Sequence, residues 1–130
     1  MQSYKLTGYK QKIFDIPTKR YCQTLELKDN KDLINEYIKR HSRDESWPEI
    51  RNGIKEVGIL EMEIYLFETH LFMIVETPLD FEWDSAFERL ANLPKQQEWE
   101  TYMTIFQQSD KNATSSEKWK LMDRIFHIYD

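Results

Sequence analysis

A chain of 130 residues with 40 % hydrophobic content fits one domain built on one core. Eighteen basic and 23 acidic residues leave a formal charge of −5 with no basic block, which argues against nucleic-acid binding. The single cysteine, Cys22, excludes an internal disulfide and a thiolate metal cluster, and it suits a reducing compartment.

No apolar run reaches the ~18 residues of a membrane span, and residues 1–20 carry no signal-peptide core. The expectation is a soluble cytoplasmic protein. Residues 1–18 are polar, with Tyr4, Tyr9 and Phe14 scattered and Pro17 near the end. No period emerges, so they are expected to form an N-terminal arm lying on the domain or on a partner subunit. Residues 19–130 are expected to form the single domain.

Residues 19–27 alternate as a strand, with Tyr21, Gln23, Leu25 and Leu27 on one face and Cys22, Thr24 and Glu26 on the other. Asp29 and Asn30 then supply a turn and a helix cap. On the helix that follows, Leu33, Ile34, Tyr37, Ile38 and His41 fall within one arc of roughly 140°, a core-facing stripe. A phenol and an imidazole on a buried face must each find a polar partner. That partner is either another protein group, the usual case for a lone buried histidine, or a polar ligand in a cleft under the helix. Trp47-Pro48-Glu49 makes a good start for the next helix and brings Trp47 to the same corner. Tyr, His and Trp together suit a hydroxyl-rich ligand with an apolar face, such as a sugar.

The second helix runs over residues 48–57, with Gly58 at its C-terminal stop. Gly53 weakens it by ~1 kcal/mol relative to alanine, so packing must compensate. Residues 59–68 form the clearest strand, with Leu60, Met62, Ile64 and Leu66 facing one way and Glu61, Glu63 and Tyr65 the other. Thr69 and His70 are expected to turn a hairpin into a strand over residues 71–76, central and covered on both faces. Two more helices, over residues 80–92 and 94–108, break at Pro94, and the second repeats Trp99, Tyr102, Met103 and Phe106 at three and four. Residues 109–118 read as a polar loop; its Asn112-Ala113-Thr114 matches a glycosylation acceptor of a kind common by chance. Residues 119–128 are expected to close the domain as a final strand.

This order, βααββααβ, reduces to the β-α-β-β-α-β of the ferredoxin-like split βαβ fold, an α+β sandwich with helices on one face of an antiparallel sheet. The other face, expected to hold Tyr21 or its neighbours with Tyr65 and Phe67, needs cover. A homodimer packed sheet to sheet, the dimeric α+β barrel type, would supply it. No phosphate loop or dinucleotide fingerprint is present, and His41, His70 and His127 lack metal spacing. A cofactor-free acid–base enzyme or a binding module remains.

The run EYIKRHSRDESWPEI resembles the Y-x-x-x-H…WPE signature of the L-rhamnose mutarotase family, and the strand pair GILEMEIYLFETHLFMIVE and the helix carrying WETYM follow in the family's order. The resemblance covers about residues 20–128. It implies the same fold and dimer, and interconversion of the α and β anomers of a 6-deoxy-L-hexose such as L-rhamnose. Ring opening and closure are proton transfers, which need no cofactor and suit a histidine. By resemblance His41 is the proton donor, Tyr37 a substrate contact and Trp99 the stacking surface for the sugar, with Trp47 at the same corner. Two positions depart from the family's pattern. Met62 stands where the family often has tyrosine, and Glu100 where it usually has a second tryptophan. These departures leave the chemistry intact and bring L-fucose forward as an alternative sugar. A cofactor-independent oxygenase-like dimer and a non-catalytic sugar-binding protein are the other readings.

Overall fold

The protein is described from a computed structural model, covering residues 6–108 and 118–129. The elements run β1 (Thr18–Glu26), α1 (Lys31–Arg40), α2 (Pro48–Glu56), β2 (Glu61–Phe67), β3 (His70–Pro78), α3 (Trp83–Ala91), α4 (Gln96–Met103) and β4 (Lys120–Leu121). All pairings are antiparallel and the strand order is β2-β3-β1-β4. Two helices cross over between β1 and β2 and two between β3 and β4. This is the ferredoxin-like α+β arrangement that the order of elements leads one to expect.

The local causes are plain in the sequence. Asn30 caps α1 by accepting a 3.1 Å hydrogen bond from the Leu33 amide. Pro48 opens α2, and Gly58, at φ +100°, takes the left-handed turn after it. A Cβ at Gly53 would stand 3.4 Å from the ends of Leu90 and Leu93, an ordinary van der Waals contact, so this buried position of α2 packs on those two leucines.

The core lies between the sheet and the helices. Leu25, Leu27, Leu71, Met73 and Val75 from the sheet side meet Ile50, Val57, Phe87, Leu90, Trp99, Met103 and Phe106. Full burial of each such aliphatic side chain contributes about 1.5–3 kcal/mol. Tyr21 belongs to this side as well. Its ring lies 4.4 Å from Trp83 and 6.2 Å from Phe81, which corrects the expectation that it sits on the outer face. The strand period requires this placement, because Tyr21 shares its face with Gln23 and Leu25.

Several other expectations change. Ile38 is 37 % exposed and not part of the core stripe, because the stripe narrows to the side of α1 that carries Tyr37. The hairpin turns at Glu68 and Thr69, with Glu68 at φ +56°, so His70 begins β3. Strand β4 is two residues long; beyond it Met122 donates one amide bond to the Cys22 carbonyl and the chain continues without strand pairing. His127 therefore lies beyond the last strand. β3 is central as expected, but its outer face is open within one chain, with Phe72 37 % exposed.

Tyr9 and Gln11 lie against the outer face of β2. Tyr9 makes an edge contact with Tyr65 at 5.7 Å, and Gln11 reaches the Glu63 carboxylate at 3.5 Å. No helix among the described residues is long and apolar enough to cross a membrane. The loop expected over residues 109–118 and its Asn112-Ala113-Thr114 lie outside the described residues, apart from Lys118, which is buried.

Candidate functional site

Between the helices and the inner face of the sheet lies a cavity of about 390 Å³. Small-molecule sites begin at roughly 300 Å³. One end of it is aromatic. His41 lies over Tyr37 with centroids 4.2 Å apart, and Trp99 meets His41 edge-on at 5.3 Å. Trp47 then meets Trp99 edge-on at 5.1 Å and stacks on Tyr102 at 6.0 Å. Tyr37, His41, Trp47 and Trp99, the four residues singled out from the sequence, all border this one cavity. The α1–α2 corner brings Trp47 in, and Arg51 fastens that corner through bonds to the Ser46 hydroxyl at 2.9 Å and the His41 carbonyl at 3.2 Å.

The geometry fixes the form of His41. Its Nδ1 lies 2.7 Å from the Tyr37 backbone carbonyl, which can only accept, so Nδ1 carries the hydrogen and Nε2 keeps the lone pair. Burial pushes the imidazole below its ordinary pKa, and the nearby Arg51 charge adds to this, while the Tyr37 carbonyl bond opposes it. His41 thus rests neutral near pH 7 with a basic nitrogen available. Tyr37 is 3 % exposed, and burial pushes its phenol well up, countered in part by a hydrogen bond to the Gln107 side chain. It stays a neutral hydroxyl.

Polar groups that the sequence reading did not single out complete the lining: Gln23, Gln96, Gln107 and Lys118, all buried. The side-chain oxygens of Gln96 and Gln107 have no hydrogen-bond partner among the described residues. Buried acceptors left open beside a cavity are acceptors offered to a ligand. Helical spacing held this signal, since Gln96, Trp99, Glu100, Met103 and Gln107 continue one face at steps of three and four. Met62 and Glu100 both border the cavity too, and Glu100 is 8 % exposed, which places it in the pocket and not in solvent. No cluster of metal-binding side chains occurs among the described residues.

The profile of the family described as "L-rhamnose mutarotase" matches residues 20–128. The chain belongs to the L-rhamnose mutarotase family. Mutarotases are isomerases, and the family reading makes this protein a sugar mutarotase. Among its relatives, a UPF0734 protein of Dictyostelium discoideum is 36 % identical over 114 residues, covering 85 % of this chain and 90 % of that one. An L-fucose mutarotase of Xanthomonas campestris pv. campestris is 33 % identical over 109 residues, covering 84 % and 87 %. The crystal structure of an L-rhamnose mutarotase from Formosa agariphila superposes with a TM-score of 0.63 at 21 % identity, covering 85 % of this chain and 98 % of that one. At that identity the likeness speaks for the shared fold.

Proposed function

We propose that the protein interconverts the α and β anomers of a 6-deoxy-L-hexose, with L-rhamnose the first substrate to try, and that His41 is its acid–base residue. The observation that carries this reading is the neutral His41, with Nδ1–H held by the Tyr37 carbonyl, on the wall of an aromatic-ended cavity. Such a histidine takes the proton of the anomeric hydroxyl at Nε2, and the bond from the anomeric carbon to the ring oxygen breaks as that oxygen is protonated. The open aldehyde turns about its C1–C2 bond. On closure the imidazolium returns its proton to the new anomeric hydroxyl. Trp99 and Trp47 offer flat apolar surface to the C–H face and the methyl group of the sugar, and Gln96 and Gln107 offer open acceptors to its hydroxyls.

L-fucose is the second reading. It is favoured by the 33 % identical relative named for that sugar and by Met62 and Glu100 at the cavity wall. A homodimer packed through the outer sheet face, acting in the cytoplasm, belongs to the same proposal, as does the division into an arm over residues 1–18 and one domain over 19–130. Anomer exchange measured by saturation-transfer NMR on L-rhamnose, L-fucose and other aldoses tests the reading. Exchange of either 6-deoxy sugar well above the buffer rate supports it; rates at the buffer level for both would overturn it.

A further inference from the structure

Mutarotation needs two proton-transfer groups, one at the anomeric hydroxyl and one at the ring oxygen. His41 supplies the first. Among the described residues, the other buried titratable groups that border the cavity are Tyr37, Glu100 and Lys118, and the half-buried Glu61 borders it with its carboxylate accepting a 3.0 Å bond from the Met62 amide. Tyr37 holds its proton too tightly to exchange it on each turnover, because burial raises its pKa. Arg51 and Lys55 reach the cavity from exposed positions on α2, and a guanidinium does not give up its proton in a protein.

Lys118 is 4 % exposed, and its Nζ donates a 2.7 Å hydrogen bond to the backbone carbonyl of Glu100, the residue after Trp99 on α4. An ammonium carries three donors. One is spent on that carbonyl, which fixes the head group beside the aromatic wall. The Glu100 charge also acts on this ammonium, and burying a lysine near a carboxylate adds little to folding, since desolvation consumes most of the attraction. The pair is therefore better explained by what it does in the cavity than by what it does for the core.

We propose that Lys118 is the second acid–base residue of the mutarotase reaction, held in place by Glu100. The proposal rests on the mutarotase reading of the site. As His41 Nε2 removes the anomeric proton, the C1–O5 bonding pair leaves to O5, and an Nζ–H of Lys118 protonates O5. The products are the open aldehyde, an imidazolium and a neutral amine. On closure the amine takes the O5 proton back while O5 attacks C1, and the imidazolium protonates O1, so both residues return to their starting forms. Burial lowers the lysine toward working pH and the Glu100 charge limits the fall, which favours such cycling.

The test is Lys118→Met, which keeps most of the unbranched side chain and removes the ammonium, assayed by anomer-exchange NMR with thermal unfolding as the control. The expected result is a kcat lowered by ~10²-fold or more with KM changed by less than about threefold. Lys118→Arg, which keeps the charge but holds its proton, should lose kcat in the same way, and it serves if the methionine variant does not fold. Wild-type kcat in either folded variant overturns the proposal. A raised KM with unchanged kcat also overturns it, by making Lys118 a binding contact only. Loss of all exchange in the wild-type enzyme is a different failure. It overturns the mutarotase reading itself and this inference with it.

Discussion

His41 directs its Nδ1–H at the backbone carbonyl of Tyr37, 2.7 Å away and one helical turn earlier. Carbonyls near a helix C-terminus lack amide partners, and here the histidine at the C-cap supplies one. The bond selects the tautomer and holds the ring over Tyr37, so the helix end that stops α1 also sets the chemistry of the site.

The pH dependence follows from that geometry. The folded pKa of His41 lies below the ordinary 6.5, and the neutral form is the base. Plotted as kcat/KM, the acidic limb of anomer exchange should lie below pH 6.5, as His41 is protonated. The same shift makes folding less favourable in acid, because the unfolded chain takes up the proton first. An acidic limb centred above pH 7 would contradict the assignment. His41→Ala should fold and lose ~10²–10⁴-fold of the exchange rate.

Tyr37→Phe separates support from chemistry. The phenol is buried and hydrogen-bonded to Gln107, so its removal strands a buried amide group and should cost about 1–3 kcal/mol of stability. Urea unfolding measures this. A variant as stable as wild type would mean that Gln107 finds another partner once the hydroxyl is gone.

The fold was readable because each of its parts has a local cause: alternation in β1 and β2, the Asn30 cap, Pro48 and Gly58. The aromatic end of the site was readable for the same reason, since Tyr37, His41 and Trp47 are near in sequence. Lys118 was not. A polar run precedes it in the chain, and its burial comes from tertiary packing against α4. The short β4 and the exposed Ile38 are likewise decided by what packs from elsewhere, which periodicity within a segment does not encode.

The outer sheet face leads to a prediction about assembly. Phe67 is 65 % exposed and Phe72 37 %, and the segment after β4 exposes Ile125, Phe126 and Ile128. Sedimentation at micromolar concentration should give twice the chain mass. Phe72→Glu, a charge placed in the middle of that face, should shift the equilibrium to single chains. A wild-type protein sedimenting as one chain would refute the dimer.

The last prediction concerns which sugar is preferred. A wall that hydrogen-bonds a hydroxyl discriminates between sugars, because the wrong configuration leaves a buried group unpaired. L-rhamnose and L-fucose differ in the configuration of ring hydroxyls, and Met62, on the inner face of β2, offers that wall a thioether with no donor. Glu100 is the other departure, but replacing it would remove the charge that acts on the Lys118 ammonium and confuse specificity with catalysis. The cleaner variant is therefore Met62→Tyr. It adds a phenol donor to the lining and should raise the ratio of rhamnose to fucose exchange rates by about fivefold, the worth of one neutral hydrogen bond at ~1 kcal/mol. An unchanged ratio in a folded, active variant would mean that position 62 does not read the sugar, and the choice would then rest with Gln96, Gln107 and the Glu100–Lys118 pair.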